Sequence, residues 1–138
     1  EMGIKSNGAA RASLYDKEPL VRMSNTFMLP GDYNEEEMIE DVKLGVYMKS
    51  YMEWNIDDKR YQQKYVGAEA YLIKNGKISH PVVHPTLEIS TPSLYSSIDA
   101  CSKKVKYSAG NCGKGEPMQG IPVWMGGPTI RLRNVKVA

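Results

Sequence analysis

The sequence predicts an α+β domain, predominantly antiparallel β, with two short helices. Three observations predict it. Apolar and polar residues alternate with period two along most of the chain. An Asn75-Gly76 pair stands between two apolar runs. Only two segments carry helix-start chemistry, at Asn34 and at Thr91-Pro92. The 138 residues allow one domain and leave little room for a second. The strand-like segments are compatible with a sandwich or a barrel, and nothing in the pattern chooses between them.

Taken in order, Val21 to Leu29 reads as a strand. Val21, Met23, Phe27 and Leu29 form its expected buried side, with polar Asn25 in the middle. Arg22, Ser24, Thr26 and Met28 form the other side, and Pro30-Gly31-Asp32 breaks the run. Asn34 then caps a helix, with Glu37 three residues on and Glu35, Glu36 and Glu37 in the first turn, where the helix dipole favours negative charge. Met38, Ile39 and Val42 make its apolar stripe, and Gly45 suits its stop. From Val46 to Ile56 the alternation puts Met48, Met52 and Trp54 on one face and Tyr47 and Tyr51 on the other. Trp54 and these tyrosines suit core packing or an interface. Asp57-Asp58 turns the chain into a more polar strand, Arg60 to Val66.

Ala68 to Ile73 and Ile78 to Val83 flank Asn75-Gly76. That pair supplies the positive φ angles of a type I′ hairpin turn. Thr91 caps a second helix with Pro92 at its first position, and Leu94, Tyr95 and Ile98 form its apolar face. Gly110 to Gly120 reads as a glycine-rich loop. Ile121 to Met125 and Thr129 to Val137 close the chain as strands around Gly126-Gly127-Pro128.

Composition excludes several classes. With 41% hydrophobic and 25% charged residues, global disorder is excluded. No apolar run approaches the roughly 18 residues that span a bilayer. A net charge of +2, from 18 basic and 16 acidic residues, gives no electrostatic case for nucleic acid or anionic lipid. Two cysteines in a chain of this size point to a reducing, cytoplasmic setting. The first residue is Glu1, so the expectation is a processed chain or a piece of a longer one.

His80 and His84 are the only histidines. On a helix their spacing would set both imidazoles about 6 Å apart. Pro81 and Pro85 instead impose extended backbone, in which four residues span roughly 13 Å, too far for one zinc. Both read as ordinary strand or loop histidines. The segment Gly110-Asn111-Cys112-Gly113-Lys114-Gly115 lacks the spacing of a phosphate loop, and no Ser or Thr follows Lys114. It suits an accessible thiol better, with Lys114 favouring the thiolate. Such a Cys112 can be a metal ligand, a nucleophile or neither. Cys101 reads as a packing residue. Arg22 and Asn25, polar in a largely apolar strand, suit substrate orientation or pairing within the fold.

Four blocks in register resemble the TldD/PmbA family of metallopeptidases. The first is Pro19-Leu20-Val21-Arg22-Met23-Ser24-Asn25-Thr26-Phe27-Met28-Leu29-Pro30-Gly31-Asp32. Next come Gly45-Val46-Tyr47 and Glu69-Ala70-Tyr71-Leu72-Ile73-Lys74-Asn75-Gly76-Lys77. The last runs from Cys112-Gly113-Lys114 through Gln119-Gly120-Ile121-Pro122-Val123 to Gly126-Gly127-Pro128-Thr129. The resemblance implies a zinc-dependent peptidase of cytoplasmic prokaryotic type, acting on unfolded or flexible peptides in proteolysis and peptide maturation. The family also carries the label "modulator of DNA gyrase".

In the TldD branch two histidines of a His-Glu-x-x-x-His helix and a cysteine of the Cys-Gly-Lys block hold the zinc, and that cysteine matches Cys112. By the same resemblance Lys114 is a candidate catalytic residue and Gly113 and Gly115 form the loop near the metal, while Arg22 and Asn25 are candidate substrate contacts by their polarity alone. No His-Glu-x-x-x-His occurs here, because the family places it upstream. Residues 1–138 are therefore expected to be a C-terminal part that does not hold zinc alone and is inactive alone. A homodimer or a heterodimer with a PmbA-like paralogue is implied, with no direct nucleic-acid or membrane partner. The alternatives are a non-catalytic PmbA-like subunit or peptide-binding scaffold, and a cysteine-nucleophile hydrolase. Two departures from the family pattern stand out. Glu116-Pro117 lengthens the last block, and Glu53-Trp54-Asn55-Ile56 replaces a glycine-rich turn.

Overall fold

The computed structural model describes residues 3–138. In chain order the elements are β1 (Ala10–Arg11), β2 (Leu20–Val21), β3 (Thr26–Phe27), α1 (Glu35–Glu40), β4 (Leu44–Ile56), β5 (Gln62–Lys74), β6 (Lys77–Pro81), β7 (Thr86–Ser90), α2 (Thr91–Ser96), β8 (Ile98–Lys114) and β9 (Gln119–Leu132). Antiparallel pairing dominates, as the alternation predicts, and two short helices accompany it. Among the described residues no sheet closes into a barrel. No described helix is long and apolar enough to cross a membrane. The chain divides into two compact units. One holds the residues up to Leu29 with Val105–Pro128, and the other holds Pro30–Lys104 with Thr129–Ala138.

In the second unit β5 is the central strand. β4 pairs with it along one side, from Leu44↔Lys74 to Ile56↔Gln63. Along the other side β7 takes the first half of β5 and β6 the second. The polar strand expected over Arg60 to Val66 and the apolar one over Ala68 to Ile73 are thus one strand, because both edges of β5 are paired past Gly67. Asn75 and Gly76 have φ of 49° and 74°, the hairpin turn the sequence predicts. The clean alternation expected in β4 is broken by register shifts between Met48 and Glu53, and residues 49–55 are all exposed. Trp54 and Tyr51 are therefore surface residues, not core.

Helix α1 begins as predicted, with the Asn34 N–H donating to Glu37 Oε2 at 2.7 Å. It ends earlier than expected, at Asp41, and Gly45 lies inside β4. Its last turn has no basic residue of its own. Arg131 and Arg133 from the chain end supply the missing positive charge, with Arg131 Nη1 donating to Met38 O at 3.0 Å and Arg133 Nη1 to Asp41 O at 3.3 Å. Arg131 also grips Asp99 with two parallel bonds of 2.9 and 2.8 Å, and Arg133 adds a third at 2.8 Å. These contacts hold the Asp99 carboxyl down at about 2. Helix α2 is capped by Ser90, one residue before the expected Thr91, because the Ser90 hydroxyl accepts from Ser93 N. Tyr95 on its supposed apolar face is exposed.

In the first unit, β9 lies between β3 and β8. β3 runs parallel to β9, Thr26 opposite Met125 and Phe27 opposite Gly126. The strand expected over Val21 to Leu29 is instead two dipeptides, β2 and β3. Its expected inner side is not buried either. Val21, Phe27 and Leu29 are exposed, while Arg22 is only 3% exposed. The glycine-rich loop expected over Gly110 to Gly120 shrinks to four residues, Gly115 to Met118, because β8 continues to Lys114 and β9 starts at Gln119. Likewise the break expected at Gly126-Gly127-Pro128 is absent, and β9 runs through it. Ile121 and Val123 are the buried apolar residues of this unit.

Two stability outcomes follow from the second unit. A methyl at Gly76 would sit 2.6 Å from the Glu40 carbonyl oxygen on a left-handed backbone, so Gly76→Ala destabilises by about 1–3 kcal/mol, read by urea unfolding. The Asp99 carboxyl titrates lower when folded than when unfolded. Its stabilisation is complete above about pH 4 and is lost as pH falls toward about 2. Acid unfolding of Asp99→Asn, followed by circular dichroism, lacks that part of the pH dependence.

Candidate functional site

The site begins with where β8 puts its sulfur. Cys112 and Gly110 are half-buried, while Ala109, Asn111 and Gly113 between and beyond them are exposed, the pattern of one strand with a covered side. Cys112 is a free thiol. Three consecutive residues, Val21, Arg22 and Met23, run alongside it and engage it in three ways. The Met23 backbone is the main reason its pKa lies below the ordinary thiol value. The Arg22 guanidinium donates through Nη2 to Cys112 O, and its proximity to the sulfur lowers the thiol pKa further. Lys114 donates through Nζ to Val21 O at 2.9 Å and adds a smaller push in the same direction. Burial opposes all of these without reversing them.

Arg22 makes a second bond across the hairpin, from the same Nη2 to Gln119 O at 2.8 Å. Cys112 and Gln119 flank the Gly115 to Met118 turn, so one nitrogen spans the two strands that present the thiol. Gln119 is itself buried and fully engaged. Its Oε1 accepts from Ser13 N at 3.1 Å and Ser13 Oγ at 3.2 Å, and its Nε2 donates to Glu18 O at 3.0 Å. Gly115 has φ of 100°, a conformation closed to other residues, and a Cβ there would lie 2.7 Å from Leu20 Cδ1. Gly113 lies next to Cys112, with Met118 Sδ 3.3 Å from where its Cβ would be.

The remaining sequence candidates fall as follows. Asn25 is exposed, and its Oδ1 accepts from Trp124 N at 2.9 Å, which extends the β3–β9 pairing by one step. His80 and His84 are exposed residues of the second unit, in β6 and in the following loop. Cys101 lies in β8, and its carbonyl accepts from Tyr33 N at 3.3 Å. Among the described residues no three His, Cys, Asp or Glu side chains gather where they could hold a metal. The second unit contains a cavity of about 530 Å³ lined largely by apolar side chains, including Met38, Val46, Ile73 and Ile130. Sequence reading singled out Cys112 and Arg22 but not that they meet, nor the part of Gln119. The available signal was a lone Arg in an apolar strand, which seldom stays buried without a specific job.

Residues 1–138 match the family described as PmbA/TldA metallopeptidase C-terminal domain, and the chain belongs to it. It is 34% identical over 137 residues to a metalloprotease of Methanothermobacter thermautotrophicus, covering 99% of this chain and 30% of that protein. It is 32% identical over 136 residues to the zinc metalloprotease TldD homolog of Saccharolobus solfataricus, with the same coverage of 99% and 30%. In structure it is similar to TldE from Thermococcus kodakarensis, with a TM-score of 0.73 at 15% identity over 99% of this chain and 28% of that one. At that identity the likeness concerns the fold. The chain spans less than a third of the length of these relatives.

The lowered pKa has a direct consequence. At a given pH Cys112 holds more thiolate than the same cysteine in the unfolded chain. Site-resolved alkylation by iodoacetamide, followed by mass spectrometry across pH, reaches its half-maximal rate at Cys112 at a lower pH in the folded protein than in urea.

Proposed function

We propose that this chain is the C-terminal part of a zinc-dependent peptidase that hydrolyses unfolded or flexible peptides, and that Cys112 is one of its zinc ligands. The observation that carries the reading is Cys112 itself, a free, half-buried thiol in the Cys112-Gly113-Lys114 strand end whose pKa lies below the ordinary thiol value. A soft thiolate is a fitting zinc donor, and one thiolate fills one corner of a tetrahedral site. The other ligands, two imidazoles, and the carboxylate base are assigned to a His-Glu-x-x-x-His helix outside these residues. When bound, zinc supplies Lewis acidity and a water of lowered pKa.

The work of this chain's own residues is narrower. Cys112 offers the sulfur, Arg22 donates to the Cys112 carbonyl, and Lys114 ties the strand end to the Val21 carbonyl. Gly113 and Gly115 keep the approach to that sulfur free of side chains. Asn25, exposed beside β9, is the residue assigned to orient a peptide backbone. Alone, the chain holds one ligand and no base, so it neither retains zinc nor hydrolyses peptides. The intact protein acts in the cytoplasm as a homodimer or with a PmbA-like paralogue. The relatives named metalloproteases, and the retained Cys112-Gly113-Lys114 block, favour this reading over a non-catalytic partner.

Cys112→Ser in the full-length protein tests it. Zinc content by atomic absorption falls from near one per chain to a small fraction, and peptidase activity falls at least about 100-fold. Retention of both zinc and activity returns the chain to the scaffold reading. Lost activity with unchanged zinc makes Cys112 a nucleophile instead.

A further inference from the structure

We infer that Arg22 is the positioning residue of the Cys112 site: a buried guanidinium that spans the β8–β9 hairpin and sets where the sulfur stands. This rests on the reading of Cys112 as a zinc ligand. The geometry is specific. Nη2 donates to the carbonyls of Cys112 and Gln119, which lie on opposite sides of the Gly115 to Met118 turn. Its neighbour Val21 acts on the same segment, its carbonyl accepting from Lys114 Nζ at 2.9 Å. Val21 and Arg22 therefore form a cradle for residues 112–114, with Arg22 as its one side chain.

Arg22 is also held at a cost that ordinary packing does not explain. It is 3% exposed, and its Nε and Nη1 have no hydrogen-bond partner among the described residues. A buried guanidinium with unmatched N–H groups is destabilising by itself, and an apolar side chain would fill the same space at lower cost. What an apolar side chain cannot do is bridge two carbonyls across a turn. Ligands held by such supporting bonds lose about 10–100-fold in metal affinity when the support is removed.

The test uses the full-length protein with Co²⁺ in place of zinc. Three variants are compared with wild type: Arg22→Lys, Arg22→Gln and Cys112→Ser. Co²⁺ affinity is read by chelator competition, the thiolate-to-cobalt charge-transfer band by absorption, and the fold of the metal-free protein by its Tm. Cys112→Ser abolishes the band. Arg22→Gln weakens Co²⁺ binding about 10–100-fold and shifts or diminishes the band, and Arg22→Lys, which keeps a charge and donors, restores part of both. Arg22 variants that bind Co²⁺ with wild-type affinity and band, while Cys112→Ser does not, overturn the role of Arg22 and leave the zinc reading standing. A Cys112→Ser protein with wild-type Co²⁺ affinity overturns the zinc reading and this inference with it. Loss of the folded state in both Arg22 variants makes Arg22 a stability residue and overturns the inference as well.

Discussion

A guanidinium withdrawn from water must find acceptors, and Arg22 finds two carbonyl oxygens rather than a carboxylate. Satisfying it arranges the first unit. The segment from Val21 to Met23 cannot run as a regular strand with Arg22 outward. It breaks into short pieces that turn Val21 outward and Arg22 inward. β8 and β9 must both approach closely enough for one nitrogen to reach them. The turn between them is consequently tight, and Gly115 takes the left-handed conformation it requires. The Cys112 thiol then lies near the Arg22 charge, which lowers its pKa from the ordinary thiol value.

The second unit answers the same problem, buried or constrained charge, with ion pairs. Asp41 ends α1 where the helix dipole is unfavourable to a carboxylate, and Asp99 stands nearby on β8. Arg131 and Arg133 neutralise both, and Arg131 also reaches a carbonyl of the helix. The network ties helix, strand and chain end at one place. It serves stability, and none of its members belongs to the thiol site. The two units thus divide the labour: one builds a scaffold on β5, and the other builds a presentation platform for one sulfur.

Local chemistry was readable wherever the partners are close in sequence. Asn34 with Glu37, Asn75-Gly76 and the start of the second helix each need only a few neighbouring residues, and the structure contains all three with shifts of at most one position at their starts. Alternation was readable in β4 but not its consequence, because bulges between Met48 and Glu53 change which side each residue takes. Glycines misled in the other direction. Those at positions 110, 113, 126 and 127 looked like loop, yet they lie within β8 and β9, where neighbouring strands supply the hydrogen bonds that a glycine's own preference would not.

The sequence by itself determined the class of fold, the turns and caps, the family and the identity of Cys112 as the residue to watch. Those properties live in residue types and short spacings. Only the tertiary structure decided that Arg22 lies under Cys112, that its charge is buried, and that Gln119 completes the arrangement. The reason is separation. Arg22 meets Cys112 and Gln119 across 90 and 97 residues, and no local preference of an Arg in an apolar run says which distant carbonyls will receive it.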